Sequence, residues 1–319
     1  MRRRLAGAST AVGVLLAGLA IVFVGQRLTS SWDEVSDSLA DARLGWIVVA
    51  VVLGALGMSA IAVPWRRALR LLGGDLSFSD TLARYYLGEL GKYLPGGLWP
   101  VVGRGELARR AGVSRVAAYT SVALSLAALY LAAMFLTVAA APAIVNSDRG
   151  ESGGAGKYLW ALALLPVGLA FLHHAVLERV RVLGEKVLRR SISAEVPRWR
   201  DSLTLVACYV PAWLFVGTAT WAIARGLGQS VGWADVAPAA ILSWIIGFVL
   251  VPVPGGVGVR EAAFIAAAGS LDAGVAAAVA IVARLVFVAV DATGALLASA
   301  WLARRTPAPD EPAELVGTG

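Results

Sequence analysis

Two Pro-Gly-Gly triplets interrupt sequence that is otherwise apolar, at Pro95-Gly96-Gly97 and at Pro254-Gly255-Gly256. Proline has no backbone N–H and glycine favours no single backbone conformation, so each triplet breaks a helix. Irregular backbone inside a bilayer is tolerated only where protein buries it or where it lines a polar cavity. The triplets therefore predict two interrupted helices that face one polar site.

The composition indicates an integral membrane protein. Hydrophobic residues make up 58% of the 319 residues and charged residues only 15%, whereas soluble domains have about 45–50% apolar and about 25% charged residues. The single cysteine excludes a disulfide within the chain and a cysteine-based metal site. The only two histidines are adjacent, so they do not share a helix face. The sequence has no phosphate-binding loop, zinc-type His/Glu pattern or nucleophile elbow. We therefore expect no cofactor, no metal and no enzyme activity.

The apolar segments predict six membrane spans, each near the ~20 residues that cross a bilayer: 8–26, 44–63, 114–141, 157–177, 203–225 and 274–302. Two further apolar segments, 80–103 and 237–270, contain the breaks. Three arginines before the first span resemble a signal peptide, but the length of the span and the lack of a small-residue cleavage site favour an uncleaved anchor. The polar, Pro-rich tail 306–319 is predicted to be disordered.

The distribution of basic residues predicts the topology. Most Lys and Arg residues fall in five groups, and the positive-inside rule places these groups in the cytoplasm. Basic loops flank segment 80–103, whereas the loops around segment 237–270 are poor in Lys and Arg. The first interrupted segment should then enter and leave on the cytoplasmic side, and the second on the outer side. The alternative, two full crossings, places the strongly basic loop 178–200 outside.

This topology predicts an all-α polytopic protein with an inverted repeat. A single membrane domain, 1–305, has halves at about 1–141 and 157–303 with two spans, a re-entrant hairpin and a long span each, in opposite orientations. Transporters of this architecture hold their substrate at the membrane midplane, between broken helices. Both termini are expected on the cytoplasmic side of the plasma membrane.

Charged side chains at membrane depth cost at least a few kcal/mol each, so those near the breaks are candidate substrate ligands. They are Arg84, Glu89, Lys92, Arg104, Glu106, Arg260, Glu261, Arg284 and Asp291. Arg260 follows the second break, where the N-terminus of a half-helix favours an anion and an arginine binds phosphate bidentately. The alternative for several of them is structural, because Glu89 and Lys92 have the spacing of a helical ion pair. Four tyrosines are candidate hydrogen-bond donors: Tyr85, Tyr86, Tyr93 and Tyr130.

Two stretches around the triplets carry a family resemblance. Residues 91–100 (GKYLPGGLWP) and 251–262 (VPVPGGVGVREA) resemble the two signatures of the lysylphosphatidylglycerol synthase transmembrane-region family. The resemblance implies movement of a lipid or a lipid-linked headgroup between leaflets. The residues it implies as cavity lining are Lys92, Pro95, Gly96, Gly97, Arg104, Pro254, Gly255, Gly256, Arg260 and Glu261. Bifunctional members also carry an aminoacyl-transferase domain, which this sequence lacks, so synthesis of aminoacyl lipid is not expected.

Together, these features predict a flippase-like transporter of an anionic lipid headgroup. Its expected partners are membrane lipids and not nucleic acid, and a gradient would supply the driving force, with Glu89, Glu261 or Asp291 as the proton carrier. Two alternatives stay open: a membrane-embedded lipid transferase, and a scaffold for cell-envelope assembly that transports nothing. The small residues at 54–57 permit close helix contact, either within one chain or in a homo-oligomer.

Overall fold

The computed structural model describes residues 42–93, 99–145, 197–249 and 258–305, with isolated positions between 166 and 182. The described residues form helices joined by turns and contain no strand, which confirms the predicted all-α class. The predicted span 8–26, both Pro-Gly-Gly triplets, most of the span 157–177 and the tail 306–319 lie outside the described residues.

The helices follow one another along the chain, and a short 3-10 turn, Leu90–Tyr93, extends the third of them. They are α1 Leu44–Ala60, α2 Ala62–Leu71, α3 Phe78–Glu89, α4 Trp99–Arg110, α5 Arg115–Val145, α6 Trp199–Gly226, α7 Trp233–Val249, α8 Val259–Ala267 and α9 Ala273–Arg305.

Four helices in the described ranges are long and apolar enough to cross a membrane: α1 and α2 as one unit of 28 residues, α5, α6 and α9. They confirm as helices the predicted spans 44–63, 114–141, 203–225 and 274–302. The observed helices continue beyond these spans into arginine-rich ends, as at Arg70 in α2 and Arg304 in α9. Arginine has a high helix propensity, and its aliphatic stem packs along apolar surface while the guanidinium reaches water.

Helix α1 has two apolar faces with different roles. Its buried face contains small residues, among them Gly54 and Gly57. A Cβ atom at Gly57 would lie 3.2 Å from the carbonyl oxygen of Ala212, so glycine lets α1 approach α6 closely. On the other face, Leu44 and Val48 are 75% and 61% exposed. An exposed apolar helix face is typical of a surface in contact with lipid.

Helix α6 lies at the centre of the bundle and packs against α1, α5, α7 and α9. Trp213 is buried in α6, and its indole N–H donates a 2.7 Å hydrogen bond to the backbone carbonyl of Leu129 in α5. Gly217 faces Ala237, where an added Cβ atom would come within 2.9 Å of the alanine methyl group. These contacts fix the helices that form one wall of the site.

Helices α3 and α4 form an antiparallel hairpin. The Nε atom of Arg84, in the middle of α3, donates a 3.2 Å hydrogen bond to the carbonyl of Leu107, near the end of α4. One turn further along α3, Gly88 lies close to Arg104, which is earlier in α4. Because later residues of α3 contact earlier residues of α4, the chain reverses direction between the two helices.

Helices α7 and α8, which flank the second triplet in the sequence, pack against each other and are called the second hairpin below. An added Cβ atom at Gly247 would lie 3.0 Å from the Cβ atom of Arg260, so glycine brings the end of α7 against the start of α8. Gly258 precedes α8 with a φ of +79°, a left-handed conformation that favours glycine. Its N–H donates a 2.7 Å hydrogen bond to Glu261, which caps the helix start.

A basic cavity between the two hairpins

The α3–α4 hairpin, the α7–α8 hairpin and α9 enclose one side of a cavity, and α1, α5 and α6 complete its wall. Its empty volume is about 1170 Å³, including its opening to the outside. Apolar and aromatic side chains form most of the lining. The charged residues that line it are Glu89, Lys92, Arg104, Arg260 and Arg284. The structure thus brings five of the predicted ligand residues, from four elements, to one cavity.

Asp291 in α9 joins the last spanning helix to the first hairpin. Its side chain is completely buried, and the Nζ atom of Lys92 lies 2.5 Å from its Oδ2 atom. The hydroxyl of Tyr93 donates a 2.7 Å hydrogen bond to the same oxygen. Lys92 also lies 3.5 Å from Glu89. Two carboxylates therefore share one ammonium group at the edge of the cavity.

Arg104 in α4 also lines the cavity and contacts Glu89, and it is 1% exposed. Its Nε atom lies 3.7 Å from Glu89, and its guanidinium carbon lies 5.8 Å from the ring centre of Trp65 and 5.7 Å from that of Tyr85. A guanidinium over an aromatic face is stabilised by the ring quadrupole. Glu89 thus contacts two cations, Lys92 and Arg104, one on each side.

The second hairpin contributes a different arrangement. Glu261 in the first turn of α8 accepts a hydrogen bond from the backbone of Gly258 and pairs through its other oxygen with Arg284 in α9. Glu261 therefore pairs with Arg284 and not with its sequence neighbour Arg260. The reason is helical geometry, because adjacent residues on a helix point in different directions.

Arg260 stacks on Trp244. Its guanidinium carbon lies 3.6 Å from the centre of the Trp244 ring and 5.7 Å from that of Phe287. Within the described residues, the Arg260 side chain makes no ion pair and no hydrogen bond, unlike the other cations that line the cavity. The stacking fixes the plane of the guanidinium and leaves its five N–H donors for a ligand.

The charges and donors around the cavity are unbalanced. In the described part of the chain, four cationic side chains line the cavity, and three carboxylates contact them: Glu89, Glu261 and Asp291. Among the described residues, three buried donors on lining residues lack a hydrogen-bond partner: Tyr85 Oη, Arg104 Nη1 and Trp244 Nε1. Buried polar groups normally have partners. One excess cation and three unused donors suit an anionic ligand rich in acceptor atoms.

Four of the nine predicted charged residues lie outside the cavity lining. Glu261 and Asp291 pair with cations that line it, whereas Arg84 and Glu106 do not. Arg84 pairs with Asp80 at 3.2 Å, at the start of the hairpin. A hydrogen bond from the Ser77 hydroxyl is the main cause that lowers the pKa of Asp80, and Arg84 lowers it further. Glu106 pairs with Arg109 and Arg110 at 2.7 and 3.0 Å on an exposed face of α4. Hydrogen bonds from these arginines lower the pKa of Glu106 to about 2.

Of the predicted ligands, Pro95, Gly96, Gly97, Pro254, Gly255 and Gly256 lie outside the described residues. The structure also adds lining residues that the sequence analysis did not select, above all Trp244 and Phe287. These aromatic residues lie in long apolar stretches, where nothing distinguishes a cavity residue from a core residue. Tyr85, Tyr93 and Tyr130, which were selected as donors, do line the cavity.

Comparison with known proteins gives a family. A family model described as the lysylphosphatidylglycerol synthase TM region matches residues 10–297. No curated protein matches the chain significantly. The matched range contains both hairpins, every residue that lines the basic cavity, and the spanning helices described above apart from the last turns of α9. Since it covers most of the chain, this integral membrane protein belongs to the lysylphosphatidylglycerol synthase transmembrane-region family.

Proposed function

We propose that this protein is a flippase-like transporter that moves a lipid with an anionic phosphate headgroup between the leaflets of the plasma membrane. The observation that carries the proposal is Arg260, a cation without a carboxylate partner among the described residues, stacked on an aromatic ring inside a basic cavity. It follows from this proposal that the protein acts on membrane lipids without changing them chemically.

The chemistry of the cavity supports phosphate as the group that is bound. A guanidinium offers parallel N–H donors that match two phosphate oxygens, and charge-assisted hydrogen bonds of this kind contribute about 1.5–3 kcal/mol each. Lys92 and Arg284 add positive charge to the same lining. In surroundings this apolar, the attraction between phosphate and cations exceeds its value in water.

The surface around the cavity supports a lipid rather than a soluble anion. A second, apolar groove with an empty volume of about 1140 Å³ lies between α1, α3 and α9. Its lining includes Ala55, Leu82, Val290 and Leu297. In α9, groove residues begin at Ala289, directly after Val288 in the cavity. A lipid could therefore keep its hydrocarbon chains in apolar surroundings while its headgroup enters the cavity.

We further propose that the two hairpins are re-entrant and belong to an inverted repeat. A helix of 28 residues, a helical hairpin and a helix of at least 31 residues follow one another twice along the chain. The first hairpin would open to the cytoplasm, with both termini, and the second to the outer side. Rocking of the halves would then expose the cavity to each leaflet in turn.

Cysteine labelling tests this topology. Cys208 is replaced by Ala, and single cysteines are introduced at Asp75 and Ser114 around the first hairpin and at Gln229 and Asp272 around the second. An impermeant thiol reagent added to intact cells should label only the second pair, and both pairs should react after the membrane is opened. Labelling of only one position within a pair would show that the segment between them crosses the membrane completely.

Lipid movement in proteoliposomes tests the function. The substrates are phosphatidylglycerol and a prenyl phosphate, each labelled on its hydrocarbon chain, and an impermeant reagent reports which molecules lie in the outer leaflet. Arg260→Ala should slow movement by about tenfold or more, because the charge-assisted hydrogen bonds are lost. Arg305→Ala is the matched control, since Arg305 also stacks on a tryptophan, Trp301, but is exposed outside the cavity.

The same assay separates the alternatives. Equal rates for wild type and Arg260→Ala, or no movement of any lipid by folded wild type, would contradict the proposal. Chromatography of the lipids after the reaction distinguishes transport from chemistry. A new lipid species formed by purified protein would indicate a transferase.

A further inference from the structure

Asp291 is a buried carboxylate held by a single cation. Its side chain is fully buried in the middle of α9, and among the described residues only Lys92 pairs with it. The Oδ2 atom accepts hydrogen bonds from Lys92 and Tyr93, whereas the Oδ1 atom has no partner among the described residues. A buried charge without adequate partners is costly, so the ionised form of Asp291 depends on Lys92.

Lys92 is positioned to break its ion pair with Asp291 and to pair with a bound ligand instead. Its Nζ atom lies 5.6 Å from the centre of the Trp244 ring, the ring on which Arg260 stacks at 3.6 Å. Both residues line the cavity. A phosphate diester has two free oxygens, and one that contacts Arg260 at this ring can direct the other to Lys92. The ligand and Asp291 thus compete for the same ammonium group.

We propose that Asp291 is a proton-binding site linked to the anion site, so that one proton is taken up as a phosphate headgroup binds. This inference rests on the proposed function and adds the coupling ion. When the headgroup draws Lys92 away, the Oδ1 atom of Asp291 forms an O–H bond with a proton from a hydronium ion, whose own O–H bond breaks to leave water, and the Tyr93 hydroxyl continues to donate to Oδ2. No other bond forms or breaks, and the proton travels with the lipid.

The surroundings favour Asp291 over Glu89 as the group that takes the proton. Glu89 keeps Arg104 as a second cation at 3.7 Å when Lys92 is withdrawn, whereas Asp291 then keeps no paired cation among the described residues. Glu261 keeps Arg284. The neutral form is therefore favoured most strongly at Asp291, because burial without a cation disfavours a carboxylate.

The other charged and titratable groups near Asp291 come from each element packed against α9. Helix α3 contributes Tyr85, Tyr86 and Glu89, the 3-10 turn Lys92 and Tyr93, and α8 Arg260 and Glu261. Helix α1 carries no charged residue, and α6 has its charges near its ends, at Arg200, Asp201 and Arg225, with Tyr209 between them. In the cavity, Arg284 on α9 itself completes the set.

Calorimetry on the purified full chain in detergent tests the link. The probe is dihexanoyl-phosphatidylglycerol, titrated in two buffers that differ in ionisation enthalpy, so that the difference in heat gives the number of protons taken up. Wild type should take up about one proton per lipid. At every pH where it does so, its apparent affinity should fall about tenfold for each unit by which the pH rises. Asp291→Asn should bind without proton uptake, and Asp75→Asn, an exposed aspartate outside the cavity, should match wild type.

Infrared spectroscopy supplies a second measurement that reports the proton directly. Lipid binding should produce the band of a protonated carboxyl group in wild type and in Asp75→Asn, but not in Asp291→Asn. Lys92→Gln removes the cation from Asp291 permanently and should show this band before any lipid is added. This last measurement decides the matter even where Asp291→Asn fails to fold.

The outcomes distinguish the inference from the function on which it rests. Binding by wild type without proton uptake, or with the same uptake in Asp291→Asn, would overturn the link and leave the flippase proposal in place. Absence of lipid binding by wild type at every pH would overturn both.

Discussion

Lys92 and Asp291 form an ion pair of 2.5 Å that joins the end of the first hairpin arm to the middle of the last spanning helix. The aspartate is fully buried and the lysine is 19% exposed. These residues are almost two hundred positions apart in the sequence, so the pair connects distant parts of the membrane domain at the cavity. It also connects the stability of the fold with the charge of the site.

The first prediction concerns this pair. Lys92→Met should lower the free energy of unfolding by about 3 kcal/mol, since without its cation Asp291 must either remain a buried charge or take up a proton, and both cost free energy. The double variant Lys92→Met/Asp291→Leu should be less destabilised than Lys92→Met, because it buries no carboxyl group. Unfolding in mixed micelles, followed by circular dichroism, measures these two values and that of the single variant Asp291→Leu. A double variant that loses the sum of the two single effects would show that the residues do not interact.

The second prediction concerns the close approach of the hairpin arms. Gly88→Ala should lower the free energy of unfolding by about 1–3 kcal/mol, the usual range for overpacking, because the new methyl group would overlap the side chain of Arg104 and reach its backbone nitrogen at 3.0 Å. Gly45→Ala is the matched control, since nothing lies within 4 Å of its added Cβ atom. The control should be neutral or slightly stabilised, because alanine favours helix over glycine. Equal effects of the two changes would argue against the tight packing of α3 on α4.

The third prediction concerns the ring under Arg260. Trp244→Leu should weaken binding of dihexanoyl-phosphatidylglycerol several-fold, because the cation–π contact that orients the guanidinium contributes about 0.5–2 kcal/mol. Trp46→Leu removes the ring beside Arg225, outside both the cavity and the apolar groove, and should leave the affinity unchanged. Calorimetric titration of both variants provides the comparison. Unchanged binding by Trp244→Leu would show that the ring does not position the anion site.

The fourth prediction concerns pH and the exposed cluster on α4. Glu106 has its pKa lowered to about 2 from 4.5 by Arg109 and Arg110. A lowered pKa in the folded state means that the carboxylate contributes stability above pH 4.5 and that this contribution disappears as the pH falls toward 2. Because the cluster is exposed, the loss in Glu106→Gln at neutral pH should be about 0.3–0.5 kcal/mol. Unfolding measured against pH should show the two curves converging in acid, and a constant difference would contradict the assignment.

Much of the helical framework was predictable from the sequence. Apolar runs near the length of a bilayer span identified α1, α5, α6 and α9, because the hydrophobic length of a spanning helix is fixed by the membrane. The predicted ends of these helices were less accurate, as at α2, because arginines continue a helix beyond its apolar segment. The hairpin arms were recognised as interrupted apolar segments, and each arm is a helix in the structure.

The sequence predicted which charged residues line the cavity, but most of the ion pairs between them could not be predicted. Glu89, Lys92, Arg104, Arg260 and Arg284 were selected because charge is rare and costly in apolar sequence. The contact between Glu89 and Lys92 was predictable, because the two residues are only three positions apart in the sequence. The partner of Asp291 was not predictable, because Lys92 lies in the first hairpin, far from Asp291 in the sequence. The role of Trp244 was not predictable either, because many apolar residues surround it in the sequence.

The sequence by itself determined that the chain is a helical membrane protein with two interrupted segments, because hydrophobic length and helix-breaking residues act locally along the chain. Only the tertiary structure decided which charges neutralise one another and which cation is left over. Among the residues that the structure describes, Glu261 pairs with Arg284 and Asp291 with Lys92, and Arg260 has an aromatic ring as its partner. Charge balance in a cavity depends on distances between elements far apart in sequence, and packing alone sets those distances.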